Sequence, residues 1–394
     1  MTLTAISSNL LYTAFIAYLI ATFVFGGAVK GNKKGTFDSE QRWGKAAIAI
    51  TIFGFLANLG YFFTRWTVSG HAPLSNMFEF TTAFGMTLVG GFILIYFLYK
   101  TAVLGMVVLP VALLIIAYAS MFPKEISPLI PALQTNWLTI HVSTVVIAEG
   151  ILAISAAAGL IYLLKVVDLT KKSKQRFWLE TILYTLVLVL GFIISSSYFA
   201  LTNYEANFQY VNKDGQEASV TYNMPPVFGM NESVPATEET LTPFMETPPL
   251  IDARKLTTIT WSLLVGTVLY VLIRVVTRRW ISQLLQPMMR NVSTQLMDEI
   301  NYRAVIIGFP LFTLGALVFA MIWAQITWSR FWGWDPKEVW ALITWLFYAA
   351  YLHLRLGKGW QGEKSAWLGV IGFAIIMFNL IVVNLIIAGL HSYA

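Results

Sequence analysis

The chain has 394 residues, 57% of them hydrophobic and 12% charged, with mean hydropathy +0.68 and a formal net charge of +6. That composition excludes a soluble globular protein, and the absence of cysteine excludes disulfides, thiolate metal sites and a CxxC relay within this polypeptide. The basic residues fall in short clusters between apolar runs, which is a topology signal and not a nucleic-acid footprint.

Continuous apolar runs predict ten spans, near 5–28, 46–65, 81–99, 101–122, 139–165, 180–201, 256–277, 304–326, 339–356 and 366–389. Each is long enough to cross a ~30 Å hydrocarbon core, and the lack of alternation selects helices over strands. The first run has neither a basic start nor a small-residue cleavage site, so it reads as a mature span. His71 falls between the second and third spans. The fifth opens with His141 and carries Glu149 two turns deeper, a carboxylate that is either functional or protonated and bonded to a neighbouring helix.

Residues 202–255 form a polar external loop or cap with an acidic excess from Glu232, Glu238, Glu239 and Glu246. Residues 278–303 are expected as an amphipathic helix on the cytoplasmic leaflet, because Leu285, Met289, Val292, Leu296 and Ile300 recur at helical spacing. No internal repeat or boundary interrupts this order. The expectation is an all-α polytopic membrane protein with a single integral membrane domain over 1–394 and about ten transmembrane helices. Nineteen Lys and Arg residues then lie on one side and seven on the other, which puts both termini outside the cytoplasm.

The segment 323–345 is the densest feature. It contains Trp323, Trp328, Trp332, Trp334 and Trp340, with Trp345 at its end, and lies across a break between two apolar runs on the outer side. An interfacial belt accounts for Trp66, Trp137 and Trp360, but not for five indoles so close together. A polar-edged aromatic shelf at that depth suits a large flat apolar ligand with a charged edge, and haem fits the description. Asp335-Pro336-Lys337-Glu338 has the form of a helix start with a capping box, which assigns both carboxylates a structural role. Arg330 and Lys337 are better placed to meet haem propionates, the alternative for either being a solvated side chain.

Three of the four histidines share the outer side with these indoles: His71, His141 and His391. His141 and His391 sit at helix ends and form the best axial pair for haem iron, with Asn384 two turns before His391 as a supporting group. His353 lies near the inner end of the ninth span. It is either a structural polar residue or one ligand of a second, inner haem site whose other ligand comes from another subunit.

The run WAQITWSRFWGWDPKEVWALITW, Trp323 to Trp345, resembles the WWD signature of haem-handling proteins. Gly70-His-Ala-Pro-Leu-Ser-Asn-Met-Phe-Glu79, Asn136-Trp-Leu-Thr-Ile-His141, Tyr351-Leu-His-Leu-Arg355 and the terminal His391-Ser-Tyr resemble the CcsA/ResC branch of system II cytochrome c biogenesis. The Gly70–Glu79 block separates this branch from the CcmC and CcmF types. The resemblance implies a plasma-membrane subunit that works with a CcsB/ResB-type partner as part of a haem lyase, a holocytochrome c synthase. That complex would move haem b to the outer face and attach it to the CxxCH motif of apocytochrome c. It also implies His141 and His391 as external axial ligands and His353 as the inner ligand, paired with a partner histidine. His71 stays a secondary candidate. The rival readings are a haem exporter or chaperone without ligation activity, and a secondary transporter for an unrelated substrate.

Overall fold

The structure is a computed structural model that describes residues 2–31, 37–120, 122–126, 128–129, 133–211, 216–236, 241–248 and 252–383. Among the described residues, ten helices are long and apolar enough to cross a membrane. Backbone amides and carbonyls in lipid must be satisfied within the segment, so an apolar run of this length is helical. The chain is a multi-pass membrane protein. It divides into two compact units, Met1–Val167 with Leu285–Ala394, and Asp168–Leu284. The division arises because the sixth and seventh spans pack chiefly on each other.

The first unit contains α1 (Leu3–Gly31), α2 (Phe37–Ser69), α3 (Met77–Tyr99), α4 (Ala102–Ala119) and α5 (Asn136–Val166). Further along the chain it contains α9 to α12: α9 (Thr294–Phe312), α10 (Ala320–Trp328), α11 (Pro336–Gly357) and α12 (Glu363–Phe378). A π-helical segment, Thr313–Phe319, joins α9 to α10, and a second, Asn379–Val383, follows α12. Most of α5 is buried, and it packs against α3, α4, α9, α12 and the first π segment. Its C-terminal half is rich in alanine, which lets neighbouring backbones approach closely enough for dispersion to hold them without a hydrophobic drive.

Two polar knots fix this packing. Asn301 Oδ1 of α9 accepts from Ser155 of α5 and from the Tyr351 hydroxyl of α11 at 3.1 Å, and that hydroxyl also bonds Ser365 of α12 at 2.8 Å. One turn away, Arg355 donates two hydrogen bonds to Asp298, at 2.7 and 2.8 Å, and Asp298 also accepts from the Gly362 amide. A paired guanidinium and carboxylate with such geometry offsets much of its desolvation cost.

The second unit holds α6 (Lys174–Leu201), α7 (Ala253–Thr277) and, between them, a small β cap. Gly191 of α6 faces Gly266 of α7 so closely that a Cβ on either would strike the other helix's backbone. In the cap, β1 (Ala206–Val211) pairs antiparallel with β2 (Glu217–Tyr222), Ala206 opposite Tyr222, and β4 (Val234–Pro235) adds to the other edge of β1. A second pair, β3 (Phe228–Gly229) with β5 (Met245–Glu246), is parallel. Ala206, Phe208, Tyr222 and Ala253 form the cap's core, so the loop expected at 202–255 has a folded centre.

The amphipathic helix expected over 278–303 is not a single helix. The chain forms the short α8 (Ile281–Leu285), then a 3-10 turn over Gln286–Met289 with Pro287 inside it. It restarts at Thr294, where the Ser293 side chain accepts from the Leu296 amide. From there it continues into the eighth span. Pro287 removes a backbone donor and Ser293 supplies an N-cap, which together break the helix.

Candidate functional site

Helices α3, α5, α11 and the α9–α10 segment enclose a partly open cavity within the first unit. Its apolar wall includes Leu138, Val142, Phe312 and Trp323, and its polar groups include His141, Glu149, Lys337 and Glu338. His141, Glu149, Trp323, Lys337 and Glu338, five residues named one by one from the sequence, therefore line a common space.

His141 stands on α5 with its Nδ1 2.8 Å from the Gly315 carbonyl oxygen. A carbonyl can only accept, so Nδ1 carries the proton and the lone pair of the neutral ring resides on Nε2, the nitrogen that binds a metal. The ring lies nearly parallel to Trp323, 14° between planes with centroids 5.9 Å apart. Gly315 belongs to the π segment. Pro310 withdraws one amide from the helical ladder just upstream, and the wider π turn follows it.

Helix α5 crosses this turn in close contact. A Cβ on Gly315 would lie 2.8 Å from the Val145 amide nitrogen and 3.1 Å from the Thr144 carbonyl carbon. Backbone atoms cannot yield as a side chain does, so Gly315→Ala should separate the helices and withdraw the carbonyl from His141. The expected result is a ~10–100-fold loss in affinity for a ligand bound through His141, the usual cost of removing an orienting partner. Titration of the variant against wild type checks it, and equal affinities would show that the Gly315 carbonyl does not orient the ring.

Glu149 is 7% exposed, and its Oε2 has no hydrogen-bond partner among the described residues. The Lys337 ammonium is within electrostatic reach of both Asp335 and Glu149. The Glu338 carboxylate accepts from the amides of Gly333 at 2.7 Å and Asp335 at 3.2 Å, and Asp335 accepts from the Lys337 amide at 3.2 Å. Together they form the capping box of α11, with Pro336 in its first turn.

Among the described residues, the five indoles fall into three groups. Trp323 is 2% exposed, lines the cavity and packs edge-on against Trp328 at 4.8 Å. Trp332 and Trp334 pair with each other in the loop after α10, where Trp334 is exposed, and Trp340 packs on Phe378 of α12. Arg330 is exposed, its guanidinium over Gly333.

The loop before α3 and the first residue of α3 form a further wall, through Leu74, Ser75, Asn76 and Met77. Glu79 anchors it. Its carboxylate takes Arg65 Nε at 2.7 Å, the Ser75 amide at 3.0 Å and the Ser75 hydroxyl at 2.8 Å, while Asn76 caps α3 by accepting from the Glu79 amide. Sequence reasoning missed the Arg65–Glu79 pair, although Glu79 closes the Gly70–Glu79 block. The signal available was the fourteen-residue spacing of opposite charges across a turn. His71 does not line the cavity; its Nδ1 is 3.1 Å from the Ala72 carbonyl oxygen.

His353 is exposed on α11, sixteen residues beyond Lys337 and so about 24 Å along the axis at ~1.5 Å per residue. It belongs to a different place from the cavity. His391 and Asn384 lie outside the described residues.

The family model described as cytochrome C assembly protein matches residues 74–391. Among curated relatives, the cytochrome c biogenesis protein CcsA of Picosynechococcus sp. is 30% identical over 100% of this chain and 99% of its own length. The CcsA protein of Synechocystis sp. is also 30% identical with the same coverage, and that of Rippkaea orientalis is 31% identical over 89% of this chain and 87% of its own. The match includes α3, the cavity and all of α11, and on that ground the chain belongs to the cytochrome c assembly protein family, in its CcsA-type branch.

Proposed function

We propose that this chain is the membrane subunit of a cytochrome c synthase, presenting haem b for covalent attachment to apocytochrome c together with a CcsB/ResB-type partner. The observation that carries the reading is His141, whose Nδ1 is committed to the Gly315 carbonyl while its ring stacks on Trp323 in the cavity wall. A histidine held in one tautomer beside an indole, in an apolar cleft, fits an axial ligand to haem iron. His391 is proposed as the second ligand, on the extracytoplasmic face.

Lys337 is better placed than Arg330 to meet a propionate, because it lines the cavity while Arg330 is exposed. The chain contains no cysteine, so both thiols must come from the CxxCH segment. Each would add across a haem vinyl group, its sulfur and its hydrogen going to the two vinyl carbons with no net proton released. The protein's contribution is position: the iron fixed by imidazole and the ring edge turned to the incoming thiols.

His353 is proposed as an inner ligand completed by the partner. Its exposure supports this, since it stands in an apolar face of α11 with Ile343, Leu346 and Leu356 all exposed. Arg355, two residues on, is clamped to Asp298 and fixes that end of the helix.

The test is absorption spectroscopy of the complex purified with its partner. The expected wild-type spectrum is that of six-coordinate, bis-histidine haem. His353→Ala should lower haem loading while leaving the remaining spectrum unchanged, and equal loading would remove the inner assignment. A colourless wild-type complex would overturn the reading altogether. Haem without any thioether product on added apocytochrome would reduce the complex to an exporter.

A further inference from the structure

One end of the α6–α7 pair gathers positive charge around a single indole. Trp280 follows α7, and two guanidiniums approach its ring: Arg274, 3.2 Å from the centroid, and Arg176 of α6, 5.2 Å away. Cation–π contact makes each stack favourable, yet it brings two like charges to one site. Arg278 and Arg279 adjoin the indole in sequence, and Lys171, Lys172 and Lys174 lead into α6.

The nearby carboxylates are already engaged. Glu180 is buried and accepts from the Tyr270 hydroxyl at 2.9 Å and from the amides of Ile281 at 3.0 Å and Ser282 at 3.1 Å. Those bonds fix the turn after Trp280. Gln283 fixes it further, accepting from the Trp280 amide at 3.1 Å and donating to the Leu169 carbonyl at 3.3 Å. Asp168 caps its own turn through Thr170 and pairs with Lys171 at 3.7 Å. Among the described residues, no ion pair is formed by Arg176, Arg274, Arg278 or Arg279.

Apolar groups complete the pattern. Phe177 and Trp178 are exposed beside Arg176, and Val275 and Val276 are exposed beside Arg274. Indole, phenyl and aliphatic surface next to guanidinium, at the end of two spans, is the composition of a headgroup-level site. A free anion would use the charges and leave these apolar groups in water. A phospholipid uses both.

We infer that the Arg176–Trp280–Arg274 clasp binds the phosphodiester headgroup of an anionic phospholipid, with the acyl chains along Phe177, Trp178 and Val275. This site is independent of haem chemistry. Arginine suits the role because its planar fork gives paired hydrogen bonds to phosphate while its face stacks on the indole.

Native mass spectrometry of the full chain in detergent tests the inference, with phosphatidylglycerol or phosphatidylcholine added at equal concentration. Wild type should retain phosphatidylglycerol in clear preference, on the order of tenfold, as loss of a charged hydrogen-bonded contact would predict. Inorganic phosphate at the same concentration should not displace it; displacement would identify a free-anion site and overturn the lipid assignment. The Arg176→Gln/Arg274→Gln variant should lose the preference, whereas Lys171→Gln/Lys172→Gln, which removes the same charge outside the clasp, should keep it. Equal retention of both lipids by wild type overturns the inference without any variant being needed. So does equal loss in the two double variants, which would mean diffuse attraction with no built site.

Discussion

His141→Ala should strip the purified complex of its haem, with retention falling at least ~10-fold, since losing a ligand must cost no less than losing its orienting partner. The substitution is a clean one. Nδ1 bonds the Gly315 carbonyl and the ring stacks on Trp323, so truncation leaves an imidazole-sized space with its acceptor still in place. Added imidazole should therefore restore part of the bis-nitrogen spectrum. Trp323→Phe should be milder, keeping the ligand while loosening the ring behind it. Full loading with an unchanged spectrum in His141→Ala would end the proposal that this residue binds iron.

The largest effect on stability is expected at Glu79. Arg65 is 5% exposed and Glu79 2% exposed, so removing the carboxylate leaves a buried guanidinium without its counter-charge. Its other anchor, the Lys124 carbonyl oxygen at 3.1 Å, is neutral. Glu79→Ala should destabilise by about 3–5 kcal/mol, and the double variant Arg65→Met/Glu79→Leu should recover most of that. Denaturant unfolding in detergent reads both. A single-variant cost below ~1 kcal/mol would place this pair with the exposed ion pairs that contribute little. The same substitution releases Ser75, whose amide and hydroxyl both donate to Glu79, and Ser75 lines the cavity. Reduced haem loading should accompany the lost stability.

The spans were legible because continuous apolar sequence has one structural solution in lipid. Their ends were less so. The eighth begins at Thr294, ten residues before the expected start, because the charged stretch up to 303 had the apolar spacing of a separate helix on the leaflet. In the fold, Asp298 meets Arg355 and Glu299 meets Arg303, so the helix carries them. The β cap was not visible as structure because its two longer strands are six residues each and its core is four side chains. At the site, His141, Trp323, Glu149 and Lys337 could each be named from residue type and depth. The contact that orients His141 could not, since it joins residues 174 apart through a helix irregularity that leaves only a proline and a glycine as traces.

The loop between α10 and α11 starts at Ser329 and nears its end at Trp334, both in the left-handed region at φ 56, an uncommon place for residues with side chains. Glu338 holds the end of this loop through the amides of Gly333 and Asp335, which flank Trp334. Conformational freedom in this loop is thus surrendered when the protein folds and not when a ligand arrives. A guest entering the neighbouring cavity would meet a rim already shaped for it. Its rate of capture should then follow diffusion through the mouth, with little contribution from loop closure.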